Sequence, residues 1–306
     1  MKEARIISLL PSATEIVYAL GLGDQMVGRS HACDYPEPAK ELPACTEAGL
    51  KTTGSSKAID RDVKRLLEQA TSVFKINAEK IKSLKPTHII TQSQCELCAI
   101  TTNELQQRLR DYIEAENIKL IDVRPQTLEH VLADFVKIGV ALGDFQAGYL
   151  LRMKIANEIQ SIRMRCLQFV DKPKVALIEW IEPMMKAGLW TDELIEAAAG
   201  KNIFENQKEP HTGFDQLKEN DPDKIIFIPC GFDIPKTKKE LDILFKDAKW
   251  ADLQAFKNKE IYVSDGSRYF NRPGPRLLES LEILTEIFHP EDFEKKHKKT
   301  NWINYF

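Results

Sequence analysis

Cysteine is scarce in this chain, with six in 306 residues. That is too few for a disulfide scaffold and leaves the thiols as free groups or ligands. Long apolar runs are missing as well, since no stretch approaches the roughly 20 apolar residues that cross a bilayer. No charge of one sign dominates: 43 Lys and Arg stand against 46 Asp and Glu, for a net charge of −3. That balance gives no reason to expect nucleic acid as a partner. Enzyme signatures are also missing. There is no P-loop, no G-x-G-x-x-G after the first strand, no G-x-S-x-G elbow and no H-E-x-x-H. The opening MKEARIISLLPSATE lacks the form of a signal peptide, because its apolar run, Ile6 to Leu10, is closed at once by Pro11. As written, the chain is expected in the cytoplasm; it would be periplasmic or surface-anchored if a leader had been trimmed.

What is present is an alternation of short apolar runs and helical patterns. RIISLL (5 to 10), MVGR (26 to 29), HIIT (88 to 91) and KLIDV (119 to 123) read as strands. Helices fit 57 to 70, 77 to 84, 102 to 115 and 127 to 142, and one follows Pro11, where Ser12 or Thr14 can cap. Strand, helix and strand at this spacing predict a parallel α/β sheet. From Phe145 to Phe169 there is no Pro and only Gly148. Leu151, Ile155, Ile159, Ile162 and Cys166 recur at three and four, which predicts one long amphipathic helix. A second α/β series follows. Its strands are 175 to 180, 184 to 188, 224 to 229 and 260 to 264, and its helices lie near 191 to 199, 236 to 246 and 275 to 288. The tail HKKTNWINYF carries three aromatics and is expected to pack back. The expected organisation is an N-terminal lobe (1–143), a connecting helix (144–170) and a C-terminal lobe (171–306), with a ligand cleft between the lobes.

Ligands of parallel α/β sheets bind beyond the carboxyl ends of the strands. Ser12 and Thr14 follow the first strand at a helix N-terminus, which can hold an anion or serve as a plain cap. His31, Cys33, Asp34 and Tyr35 follow the second. Gln92, Cys95 and Cys98 follow HII. In the second half, Trp180 ends VALIEW and Trp190 opens the next helix. Cys230 and Phe232 follow KIIFIP, and Arg268, Tyr269, Phe270 and Arg272 follow EIYVS. The C-x-x-C of Cys95 and Cys98 reads as a redox pair, part of a metal site or a tightly packed loop. The redox reading is the weakest, because three residues separate the pair from its strand and no cis-Pro partner is identifiable. Thiolates with an imidazole suit a soft metal, which would use Cys33, Cys95, Cys98, Cys230 and His31.

ISLLPSATEIVYALGLGDQMVGRSHACDYP resembles the opening of the iron-complex and cobalamin substrate-binding proteins of ABC importers. LKPTHIITQ, KENDPDKIIFIPCGFD and AFKNKEIYVSDGSRYFNRPGPRLLESLEIL resemble further segments of that family, so the likeness runs over about 4 to 290. It implies two Rossmann-like α/β lobes joined by a single long helix, the class III binding-protein fold. H-A-C-D-Y-P, Q-x-C-x-x-C, P-C-G-F-D and Y-F-N-R-P-G-P-R look like a signal-less, cobalamin-binding-like branch. The resemblance also implies one acidic residue per lobe that docks on a permease, with Glu79 and a glutamate within 193 to 196 as candidates.

The leading expectation is a non-catalytic, monomeric binding protein with no catalytic cofactor. Its ligand would be a cobalamin-like corrinoid or an iron or other metal complex, and its partner an ABC permease. Tyr35, Trp180, Trp190, Tyr269 and Phe270 would supply flat apolar walls, and Arg268, Arg272 and Arg276 would pair with anionic groups. Two alternatives stand beside it: direct metal binding by the Cys and His residues named above, and a thiol-dependent enzyme acting on a corrinoid-like substrate.

Overall fold

A computed structural model describes residues 4–49, 53–68, 73–93, 101–205 and 207–306. By internal contacts the chain forms two units. The first comprises Met1–Lys51 and Asp62–Ala156, and the second comprises Thr52–Arg61 and Asn157–Phe306.

The first unit starts with β1 (Ile6–Ser8), buried at every position, and turns directly into α1 (Pro11–Ala19). Pro11 occupies the first helical position, where its missing N–H costs nothing. The expectation that Ser12 or Thr14 caps this helix is corrected, because the cap position is Leu10 and no side chain fills that role. Thr14 instead donates to Ser8 Oγ at 2.9 Å, which ties the turn from inside. Next come β2 (Met26–Arg29), β3 (Thr46–Ala48), α2 (Ser56–Glu68, whose residues up to Arg61 count with the second unit), β4 (Phe74–Ile76) and α3 (Ala78–Ser83). They are followed by β5 (His88–Gln92), α4 (Thr102–Ala115), β6 (Lys119–Val123) and α5 (Leu128–Ala141). Strands β2-β1-β5-β6 form a parallel sheet in that order. Strand β5 reads HIITQ and is buried along its whole length, as a strand with helices over both faces must be. The antiparallel pair β3 and β4 was not anticipated, because three-residue strands carry too little periodicity to be read. The helices begin where short polar side chains cap them. Asn77 accepts from Lys80 N, Thr127 accepts from His130 N, and Thr101 forms a capping box with Glu104.

α6 (Phe145–Cys166) is the long helix and ends three residues earlier than its pattern suggests. Its Gly148 has a packing cause: a Cβ there would lie 2.7 Å from Phe135 O of α5. Only glycine lets the two backbones approach that closely.

The second unit contains β7 (Lys174–Trp180), β8 (Met185–Lys186), α7 (Trp190–Ala197), β9 (Lys201–Asn202) and α8 (Phe214–Asn220). It continues with β10 (Lys224–Phe227), α9 (Ile234–Leu244), α10 (Gln254–Lys257), β11 (Ile261–Ser264), α11 (Leu277–Phe288) and β12 (Trp302–Asn304). Sheet order is β12-β11-β10-β7-β8, with β9 also on β7. The central strands are parallel, while β8 and β12 run antiparallel at the margins. The tail does pack, and it does so as a strand: Trp302 pairs with Ser264 and is 3% exposed. The core under this sheet includes Ala176, Ile178, Phe204, Leu217, Phe227, Trp250 and Val263.

Candidate ligand-binding site

The loops beyond the carboxyl ends of the parallel strands are built differently in the two units. In the first, Arg29 organises the segment after β2 by donating to the carbonyls of Leu42 (3.1 Å), Ser30 (3.0 Å) and Lys40 (3.0 Å). A guanidinium suits this task because its donors form a rigid fork. His31 is half-buried and fixed at both ends. Its backbone N donates to Thr46 Oγ1 at 3.0 Å, and its Nδ1 lies 2.7 Å from the same oxygen. Its ring packs against Phe74 at 5.6 Å. Burial, and then the Arg29 charge, hold the imidazole below its usual pKa. Cys33 is fully buried, with its thiol directed at Ser8 O, 3.9 Å away. Tyr35, next to a cis peptide with Pro36, is 46% exposed and is the open aromatic face of this loop.

Ser12 and Thr14 are buried, so they shape the turn behind the wall. Gln92 is buried at the end of β5. Cys95 and Cys98 lie outside the described residues. Cys33 belongs to the first unit and Cys230 to the second. Among the described residues no group of three His, Cys, Asp or Glu is placed to hold a metal. Burial pushes the Cys45 and Cys166 thiols up to about 11, so both stay protonated near neutral pH.

In the second unit the aromatic residues divide into a supporting layer and a surface layer. Phe232 and Phe270 are buried to within 1%. Trp190 is 7% exposed, and its indole donates to Phe270 O at 2.8 Å. The expectation that these three rings face a ligand is corrected: they brace the wall from within. Trp180 is half-buried and meets Phe232 edge-on at 5.3 Å, while Lys236 Nζ lies 3.6 Å from the opposing Phe232 ring. Cys230 is exposed, with its N–H bound to Glu179 O at 3.1 Å.

The loop after β11 is held by Asp265. Its carboxylate accepts from Ser267 N (2.9 Å) and Arg268 N (3.1 Å) and pairs with Arg268 Nε at 3.3 Å. Asn271 closes the loop by donating to Ile228 O and Gly266 O, both at 2.9 Å. Gly266 is required, since a Cβ would stand 2.2 Å from Pro229 O. Arg268 is left exposed and Arg272 half-buried. Tyr269 is buried beneath Arg276, whose guanidinium lies 5.6 Å from its ring, and burial pushes the phenol up to about 12. His31, Tyr35, Trp180, Cys230, Arg268 and Arg272 are therefore the predicted residues, among those described, that retain surface.

Sequence reasoning missed the group around Glu240 and Glu182. Ser56 donates to Glu240 through N (3.0 Å) and Oγ (2.8 Å), and Lys57 pairs with Glu182 at 2.7 Å. These partners are separated by 184 and 125 residues, a distance that carries no local signal. It also missed Lys186, a buried lysine in an apolar strand.

Two α/β units with parallel central strands carry polar and aromatic loops at their strand ends, an arrangement suited to holding a solute. The chain belongs to the periplasmic binding protein family, whose model matches residues 6–267. Members of that family are non-enzymatic substrate-binding components of transport systems. A vitamin B12-binding protein of Vibrio cholerae is 28% identical over 291 residues, covering 91% of this chain and 86% of the relative. An uncharacterized ABC transporter substrate-binding lipoprotein of Bacillus subtilis, YvrC, is 25% identical over 303 residues, with 95% and 82% coverage. The structure of the periplasmic heme-binding protein HutB of Vibrio cholerae superposes with a TM-score of 0.72 at 18% identity, covering 94% of this chain and all of that one. That likeness establishes the fold.

Proposed function

We propose that this protein is the solute-binding component of an ABC importer, and that its solute is a cobalamin-like corrinoid or an iron complex. The family match across residues 6–267 supports the reading most, together with the likeness over 91% of the chain to a Vibrio cholerae protein named for binding vitamin B12. Each unit by itself presents groups that suit such a solute. In the first, Tyr35 offers a flat apolar face; in the second, Trp180 offers another, and Arg268 and Arg272 offer charge to peripheral carboxylates or phosphates. The braced rings behind them keep the wall rigid, which limits the ordering cost of binding. As a solute-binding component the protein acts outside the cytoplasmic membrane. The test is calorimetric titration of the full chain with cyanocobalamin and with haemin. Binding of either tighter than about 10 μM supports the reading, with Trp180→Ala weakening it about ten-fold. No heat with either solute, from protein whose circular dichroism shows it folded, overturns it.

A further inference from the structure

Lys186 lies on the margin of the second unit's sheet, opposite Ile178 in register. It is 8% exposed, while Ile178 is fully buried. Its backbone is secured by Lys186 N donating to Pro210 O at 2.9 Å. Among the described residues, no hydrogen bond or ion pair reaches its ammonium. An ammonium without a protein partner is tolerated in such a place only where it keeps contact with water or an anion. This ammonium is not sealed. The enclosed polar atoms without a hydrogen bond are His88 Nε2, Thr102 Oγ1, Asp122 Oδ1 and Trp250 Nε1, and Lys186 Nζ is not among them. The stem is therefore buried while the ammonium keeps some contact with solvent.

What surrounds the tip is built to leave it open. A Cβ at Gly188 would sit 3.8 Å from Nζ, so any larger residue there would begin to cover it. The next residue, Leu189, holds φ 60° and ψ −131°, a conformation that costs a side-chain-bearing residue about 1–3 kcal/mol. It is nevertheless leucine, and it is 49% exposed. Asp192 is the acidic group that feels the Lys186 charge, but it makes no ion pair with it, and its Oδ1 accepts from Asn202 Nδ2 at 2.8 Å.

We infer that Lys186 is an anion-recognising residue of the binding site, selecting a solute that carries a carboxylate or phosphate beside its apolar body. The inference rests on the solute-binding reading above. Gly188 provides the access, the strained turn sets the exposed Leu189 beside it, and the charge waits for the solute's anionic group.

Two pairs of probes test this by calorimetry on the full chain and on Lys186→Met. Haemin is compared with haemin dimethyl ester, and cyanocobalamin with dicyanocobinamide. The first member of each pair carries propionates or a phosphodiester that the second lacks. For whichever pair the wild type binds, K186M should weaken the anionic probe about ten-fold or more and leave the neutral one within about two-fold. Equal affinity of both proteins for the anionic probe overturns the inference. So does an equal loss on both members, which would mean lost shape. K186M should be about as stable as wild type, since methionine keeps the packing of the buried stem and the ammonium it removes makes no hydrogen bond or ion pair among the described residues. If wild type binds none of the four probes, the solute reading fails and inorganic phosphate decides the site alone, by thermal shift at constant ionic strength. Stabilisation of wild type that K186M lacks supports the site, and none in wild type overturns it.

Discussion

Asp134 shows how much a single buried residue can set. It lies on α5 and is 8% exposed. Burial raises its carboxyl from 3.8 to about 6, with Lys137 pulling it down and Asp122 pushing it up. Between those two pH values the folded chain keeps a proton that the unfolded chain has already released. Stability therefore falls as pH rises from about 4 through about 6, after which the fold must carry a buried carboxylate. Asp134→Asn should remove that cost. Urea denaturation should find the variant more stable than wild type by roughly 1 kcal/mol at pH 8 and by little at pH 4. The same offset at both pH values would show that the carboxyl is not what titrates. His31 behaves in the opposite sense. Its lowered pKa means the folded state resists protonation, so its contribution is complete above about 6.5 and fades as pH falls.

At the scale of elements, the C-terminal strand is held by one carboxylate. Glu286 on α11 is 1% exposed and accepts from Trp302 Nε1 (2.7 Å) and from His297 N (2.9 and 3.2 Å). Beside it, His297 Nε2 meets Glu282 Oε2 at 2.8 Å, and Asn301 Nδ2 meets His297 Nδ1 at 2.7 Å. This network anchors β12 against β11, where it closes the sheet margin. Trp302→Phe preserves most of the packing but removes the indole donor, leaving a buried oxygen poorly satisfied. A loss of about 2 kcal/mol by chemical denaturation is expected. A loss below about 0.5 kcal/mol would mean that the network does not hold the strand.

For the molecule as a whole, family membership fixes a binding role. Glu79 on α3 is 85% exposed at its side chain and pairs with Lys82 at 3.0 Å. Glu193 on α7 is also exposed, and Glu196 pairs with Arg163 at 3.0 Å. We propose Glu79 and Glu193 as permease contacts, one from each unit. An E79A/E193A double variant should bind its solute as wild type does in calorimetry while solute uptake by the host falls. Unchanged uptake would remove both residues from that role.

Periodicity and turn chemistry determined most of the architecture from sequence alone. The buried parallel strands HIITQ and KVALIEW, the caps Thr101 and Thr127, and the unbroken 145 to 166 helix follow from local patterns that burial leaves no freedom to change. The family was legible through resemblance, because loops at strand ends keep their order in the chain. Tertiary structure decided which of those loop residues have a surface. Trp190, Phe232 and Phe270 read in sequence as Tyr35 and Trp180 do, as aromatics near strand ends. Only packing turns the first three inward as braces and leaves the others open. Lys186 was invisible for the same reason. A lysine in a short strand reads as a solvated edge residue, and only the fold buries its stem, withholds an acceptor and places Gly188 over its tip. Side-chain burial is a property of the neighbours that the chain brings in from far away, and a local pattern does not contain them.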